Sequence, residues 1–252
     1  DESVREAFED GLVRAGKTII DSSYPAFMLV YFDLMRLGSM IDQDNPEQVR
    51  LISDLNGGHE QDMVVQMGIC LYDLAQLLDA DQMSDLNATA RAIEQRSMPD
   101  AFMHKWDEFM THYGHRGPFE MDIIQPRYGD DPLIALQQIR SLAKAGGDFN
   151  PHQMHEARVK AREAAFARLS EILPPRKAKK LRKMYATAFE FNGMREMFKE
   201  HLTQVYHRSR KLLVHRAEAF IAAGRLDRVE QIFELEIDDV DRAHGDPSVD
   251  VR

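Results

Sequence analysis

The chain has 252 residues, a formal charge of −10 and 44% apolar side chains, values that exclude a disordered chain and leave one or two domains open. Its single cysteine, Cys70, excludes an intramolecular disulfide and a cysteine-built metal cage. The acidic excess weighs against nucleic acid as a partner, because such proteins bind by neutralising phosphates with clustered Lys and Arg.

No apolar run reaches the roughly 18 residues that a membrane-crossing helix needs; the strongest, Ala26 to Leu34, is interrupted by Asp33. Asp1-Glu2-Ser3-Val4 carries neither a start methionine nor a secretory pattern. The expected setting is cytoplasmic, in a piece of a longer chain.

Apolar side chains recur at helical spacing almost throughout, and strand-like alternation is nearly absent. The expected fold is therefore all-α, a multi-helix domain. A first helix is expected from about Glu2 to Ile20, with Val4, Phe8, Leu12, Val13 and Ile19 as its stripe. Pro25 opens a second, more apolar helix to about Ile41, and Asn45-Pro46 a short third. After Gly57-Gly58, Met63, Val64, Met67, Leu71, Leu74 and Leu78 mark a buried stripe from about Glu60 to Leu78. Methionines such as Met28, Met35, Met63 and Met67 are expected in the core. Pro99 starts a helix carrying Phe102, Trp106, Phe109 and Tyr113, which Gly114 stops.

One long irregular loop follows, over about 114–131, of a length more often functional than incidental. Helices resume at about Pro132, run from Asn150-Pro151 to about Leu173, and return from about Lys177 to Ala223, where Gly224 is a natural stop. Residues 229–235 are the one candidate for a short strand. Asp238 or Asp239 is placed to cap a final turn. The expected organisation is one helical domain over 1–240, with a subdivision admitted near 147–151, and a flexible tail or linker over 241–252.

Few motifs carry chemistry. Arg195 and Lys199 stand four residues apart in a helical stretch, so their cations share one face a turn apart and can grip a phosphoryl group between a planar fork and a point charge; the competing reading is ion pairs with neighbouring helices. In the loop, His115 has the titration range of an acid or base and Arg116 the geometry of an anion ligand. Those two, with Glu120 and Arg127, are read more readily as groups that tie the loop to the helices. His112 with His115, and His152 with His155, lack an obvious third ligand, so no metal site is expected. Cys70 lies in an apolar stripe and is expected to be inert. The basic run 176–183 is expected to be a solvated helix face.

The loop Phe109-x-x-x-Tyr113-Gly114-His115-Arg116-Gly117-x-x-Glu120-x-Asp122-Ile123-x-x-Pro126-Arg127-Tyr128-x-x-Asp131-Pro132 resembles the central region of rifampicin phosphotransferases and related phosphoenolpyruvate-synthase-like proteins. So do Leu55-x-Gly57-Gly58, Met194-Arg195-Glu196-x-x-Lys199, and Gly224-x-Leu226 followed by Ile232-Phe233-x-Leu235, which occur in the family's order. Glu230-Gln231 and Glu234 depart from the family's pattern, so the hinge toward a further domain is expected to differ.

The resemblance implies the acceptor-binding domain of an ATP-dependent phosphotransferase that converts ATP, acceptor and water to AMP, phosphate and phosphorylated acceptor. Its partners would be a nucleotide-binding domain and a swivelling phosphohistidine domain, in cis or in trans, neither of them visible in this sequence. ATP and Mg would belong to the intact enzyme, with no cofactor in this domain, which alone would be inactive. Arg195 and Lys199 map onto the pair that meets the phosphoryl group, and the Met- and Phe-rich helices onto the acceptor pocket. A rifamycin is the best-known acceptor class; pyruvate, a phenol or another small molecule, or a noncatalytic ligand-binding scaffold, fit the same residues.

Overall fold

The computed structural model describes residues 3–59, 62–144, 149–192, 196–249 and 251. Twelve α-helices carry the described chain and no strand occurs among the described residues, so the fold is all-α. No described helix is long and apolar enough to cross a membrane. The helices are α1 (Val4–Thr18), α2 (Tyr24–Gly38), α3 (Pro46–Leu55), α4 (Met63–Ala75), α5 (Ala80–Ser84), α6 (Leu86–Glu94), α7 (Asp100–Tyr113), α8 (Pro132–Lys144), α9 (Pro151–Ile172), α10 (Pro175–Phe191), α11 (Met197–Ala222) and α12 (Ile237–Gly245). A π-helical turn, Ile19–Ser23, precedes α2.

Caps explain many of these limits. Asn45 and Asn150 accept from the free amides of α3 and α9, each followed by a proline that needs no such partner. Asp79 and Gln82 form a capping box on α5, and Asp85 caps α6. These two short helices lack a long apolar stripe, so periodicity does not reveal them. The stretch read as one helix from Lys177 to Ala223 is two, α10 and α11, with residues 193–195 between them outside the described residues.

The chain divides into two compact units. The larger comprises Ile19–Phe109 and Leu136–Phe198. Its core joins α2, α3, α9 and α10 through Leu37, Met40, Leu55, Ala165, Leu169, Leu181 and Met184. Gly58, at φ +68°, lets the turn after α3 lie against α9, where a Cβ would stand 2.5 Å from Val159 N. The carbonyl of Gly58 accepts from buried Arg162, whose guanidinium also lies over Phe189 at 4.7 Å. Phe102 and Trp106 stack at 5.8 Å on α7. In the basic run, Ala178 and Leu181 are buried, while Lys179, Lys180, Arg182 and Lys183 are exposed.

One helix of this unit breaks the inside-out rule. Tyr24, Phe27, Tyr31, Phe32 and Met35 of α2 are all exposed, and their spacing places them on one side of the helix. Met35, expected in the core, is 57% exposed, because Ala26, Val30 and Leu37 supply the packed side instead.

The smaller unit comprises Asp1–Thr18, Met110–Ala135 and Lys199–Arg252. Val4, Leu213, Ala217, Phe220, Leu226, Ile232, Val240, Ala243 and Val251 form its core. Val13, assigned to the buried stripe of α1, is exposed; the packed positions are Val4, Ala7 and Ala15. Asp241 caps α1, accepting from Ser3 Oγ at 2.7 Å and from the amides of Val4 and Arg5 at 2.8 and 3.0 Å. Arg225 donates to the carbonyls of Ala243 and Val249 at 2.7 and 2.6 Å.

The candidate strand at 229–235 is a 3-10 helix, Val229–Glu234. A lone strand would leave its backbone groups unpaired. Here Gln231 Oε1 accepts from the amides of Asp227 and Arg228 at 2.7 and 3.0 Å, while Ile232 is buried.

Candidate functional site: a loop held by an ionic chain

The loop over 114–131 is closed at its base by backbone. Gly129 N donates to Gly114 O at 2.8 Å, and Tyr128 N to Arg116 O at 2.9 Å. Gly114 is required where it stands, since a Cβ there would lie 2.4 Å from Met110 O. Arg127, fully buried, spans the inside of the loop and donates to the carbonyls of Gln125 and Glu120, both at 2.9 Å. Asp130 accepts from Arg127 N at 2.8 Å and Arg210 Nε at 3.0 Å, and Arg210 also donates to the carbonyls of Ile123 and Ile124 at 3.0 and 2.6 Å. Two arginines thus satisfy loop carbonyls that water would otherwise serve.

Charged groups link this loop to α11. Arg116 reaches both oxygens of Glu120 through Nε and Nη2, at 2.6 and 2.8 Å, and donates from Nη1 to Glu200 Oε2 at 2.9 Å. All three residues are buried. His115 Nε2 lies 2.6 Å from Glu200 Oε1, and Gln204 Nε2 donates to the same oxygen at 2.9 Å. Lys199 Nζ lies 2.5 Å from Glu120 Oε1. The order is His115, Glu200, Arg116, Glu120, Lys199, alternating donor and carboxylate. Two buried carboxylates are matched by two permanent cations, the condition under which burying charge is tolerable.

Lys199 differs from the rest because its side chain is 40% exposed. It borders a shallow depression of about 510 Å3 whose other walls are residues 117–122 of the loop, with Phe119 76% exposed. An ammonium held by one carboxylate at the edge of an open depression can exchange that partner for an arriving anion.

The expected pair is placed in half only: Lys199 is here, while Arg195 lies outside the described residues. His115, Arg116, Glu120 and Arg127 all belong to the loop's internal bonding. Glu200 was not among the sequence candidates. As one of many charged side chains on a long helix it gives no local signal, and its partner Arg116 is 84 positions away. His152 pairs with Asp73 at 2.7 Å, and Cys70 is partly buried, its thiol pushed up first by burial.

The network sets a pH response. Burial opposes ionisation of Glu200, but His115, Arg116 and Gln204 outweigh it and bring the carboxyl down to about 2. Burial opposes ionisation of Glu120 too, and Arg116 and Lys199 still hold its carboxyl below the ordinary range. On α11, burial and the charge of Lys211 bring His207 down to about 4. All three groups bind protons more weakly in the folded state, so acid favours unfolding. His207 contributes stability that is complete above its ordinary value of about 6.5 and lost as pH falls through about 4; the loss from Glu200 begins below about 4.5 and runs to about 2. The melting temperature is expected to fall in these two stages. In His207→Gln the upper stage flattens; wild type and variant falling in parallel above pH ~4.5 would remove His207 from the account.

Comparison with known proteins adds the decisive observation: the family model described as the rifampicin phosphotransferase fourth domain matches residues 22–196. The chain belongs to that family. The matched segment takes in the whole loop and ends three residues before Lys199. A rifampicin phosphotransferase of Bacillus subtilis (strain 168) is 26% identical over 148 residues, covering 54% of this chain and 17% of that protein. The chain therefore corresponds to a small part of that relative's length.

Proposed function

We propose that this chain is the acceptor-binding domain of an ATP-dependent phosphotransferase, with rifamycin-like molecules as the acceptor class. Membership of the rifampicin phosphotransferase fourth-domain family supports the general class. The observation that carries the acceptor role is α2, inside the matched segment, with Tyr24, Phe27, Tyr31, Phe32 and Met35 exposed along one side. A run of aromatic and thioether side chains open to solvent on one helix is unusual unless something large and apolar covers it.

In the smaller unit, Lys199 is positioned by Glu120 and would meet a phosphoryl group delivered by another domain, the role that the resemblance implies for it and for Arg195. During transfer, the acceptor hydroxyl forms the new O–P bond as the donor's bond to phosphorus breaks. The hydroxyl proton leaves to solvent or a base, and the two cations offset charge on the phosphoryl oxygens. Among the described residues no three His, Cys, Asp or Glu side chains converge on a metal position, and the sequence has no phosphate-cradling glycine loop. The ATP and Mg chemistry would belong to other domains of the intact enzyme, as the family resemblance implies, and no step in this chain is routed through them.

Calorimetric titration of the 252-residue chain with rifampicin tests the acceptor assignment. Saturable binding is expected with a dissociation constant on the order of 10 μM. The double substitution Phe32→Ser, Met35→Ser is expected to weaken it by about tenfold or more, since each removes an apolar contact worth about 1.5–3 kcal/mol when fully buried. Absence of saturation up to about 500 μM would exclude a rifamycin as the acceptor.

A further inference from the structure

The larger unit holds a cavity of about 270 Å3 that no described residue of α2 borders, so it has no part in the acceptor reading. Two helix faces form its walls. Val64, Val65 and Gly68 come from one side of α4, and Met154, His155 and Arg158 from one side of α9, both sets at helical spacing. The turn at 56–59, which Gly58 lets lie against α9, and Asn192, at the end of α10, complete it.

Three observations converge. The first is Gly68, in the interior of α4, where glycine costs stability relative to alanine and is kept when a neighbour needs the room. No neighbour needs it here: an added Cβ would meet nothing within 4 Å, and the space belongs to the cavity. The second is Asn192. It is 9% exposed, and among the described residues its side-chain amide has no hydrogen-bond partner, whereas the large majority of buried side-chain amides have one. Asn192 borders both the cavity and a narrower recess adjoining it. The third is charge. Arg158 and Asp62, both on the lining, are of opposite sign, and one oxygen of Asp62 is already taken by the amides of Val64 and Val65, so the cavity favours a neutral occupant.

An asparagine side chain offers an acceptor beside a donor, and its full complement is another amide edge. Val64, Val65 and Met154 supply apolar flanks, and Phe149 a ring face. The volume falls just below the roughly 300–1,000 Å3 of pockets that enclose drug-sized ligands, which suits one ring with one substituent. We propose that this cavity binds a small, neutral aromatic amide, its amide edge paired with Asn192 and its ring in the room left at Gly68 between α4 and α9.

The test is an NMR titration of the full chain with benzamide, following the Asn192 side-chain amide and the Gly68 backbone amide. Saturable shifts at both are expected, with a dissociation constant on the order of 1 mM. Acetophenone keeps the ring and carbonyl but has no N–H, and is expected to bind about tenfold more weakly. Gly68→Leu, which fills the cavity, and Asn192→Leu, which removes the amide, are each expected to weaken benzamide about tenfold or more. Asn192→Leu is also expected to keep or raise the melting temperature, since it replaces an amide without a protein partner. Should a leucine variant fail to fold, Gly68→Ala and Asn192→Ala take its place; the first is expected to raise the melting temperature while weakening benzamide by a smaller factor. The proposal is overturned by no saturation up to about 20 mM, by equal affinity for acetophenone, or by unchanged benzamide affinity in the Gly68 and Asn192 variants. Neither the probe nor the variants touch the exposed side of α2, so this proposal and the rifampicin reading fail separately.

Discussion

Arg116→Ala is expected to remove about 3–5 kcal/mol of folding stability, the cost of leaving buried charge without its partner. Arg116 is 3% exposed and serves two carboxylates at once, both oxygens of Glu120 and one of Glu200. Lys199 would still face Glu120 and His115 would still face Glu200, but each pair would be missing its central cation. Urea unfolding of the 252-residue chain gives the measurement, with an expected drop in midpoint of about 1–2 M. Adding Glu120→Gln to Arg116→Ala is expected to recover part of the loss, because one stranded carboxylate is then neutral. A midpoint that hardly moves in the single variant would mean that water reaches these groups and the chain of charges does not hold the loop.

Lys199→Ala is expected to do the opposite, leaving the fold and removing activity. Its side chain is partly exposed, and Glu120 keeps its two-pronged contact with Arg116 when the ammonium is gone, so stability is expected to change by less than about 1 kcal/mol. In the intact phosphotransferase, turnover is expected to fall by about 10²–10³, the usual cost of deleting one group that stabilises transition-state charge. Arg195→Ala is expected to behave alike, on the ground that the resemblance of the Met194-Arg195-Glu196-x-x-Lys199 segment implies the same role for it. The experiment pairs single-turnover phosphorylation of the acceptor with thermal melting of the same preparation. Loss of activity in proportion to loss of folded protein would make both residues structural.

The helices were legible because their apolar spacing and their caps are local properties: Asn45-Pro46, Asn150-Pro151 and Gly224 mark boundaries within a residue or two of those observed. The loop was legible as irregular, through its glycines and prolines. What holds it was not. Glu200 and Arg210 meet the loop only because α11 returns to it some 80 positions later, and periodicity carries no information about such pairings. The exposure of Met35 is not legible for a related reason: a methionine in an apolar helix reads as core, and only packing reveals that Ala26, Val30 and Leu37 already supply the buried side. The 3-10 turn at Val229–Glu234 misled because β-branched and aromatic residues suit strands, while Gln231 closes the segment by hydrogen bonds that spacing does not disclose.

The closed base of the loop has an evolutionary consequence. Because Gly114 and Gly129 already meet, the excursion between them can grow or shrink without moving the helices that bear it, and doubling its length adds only about 0.6 kcal/mol of closure entropy. Phe119, Met121 and Ile124 sit on that excursion with much of their surface in solvent. Change there is cheap, whereas change at Arg116 or Arg127 is not. Variation among relatives should accumulate at the tip, giving lineages a way to adjust what the neighbouring depression admits while inheriting one unaltered frame.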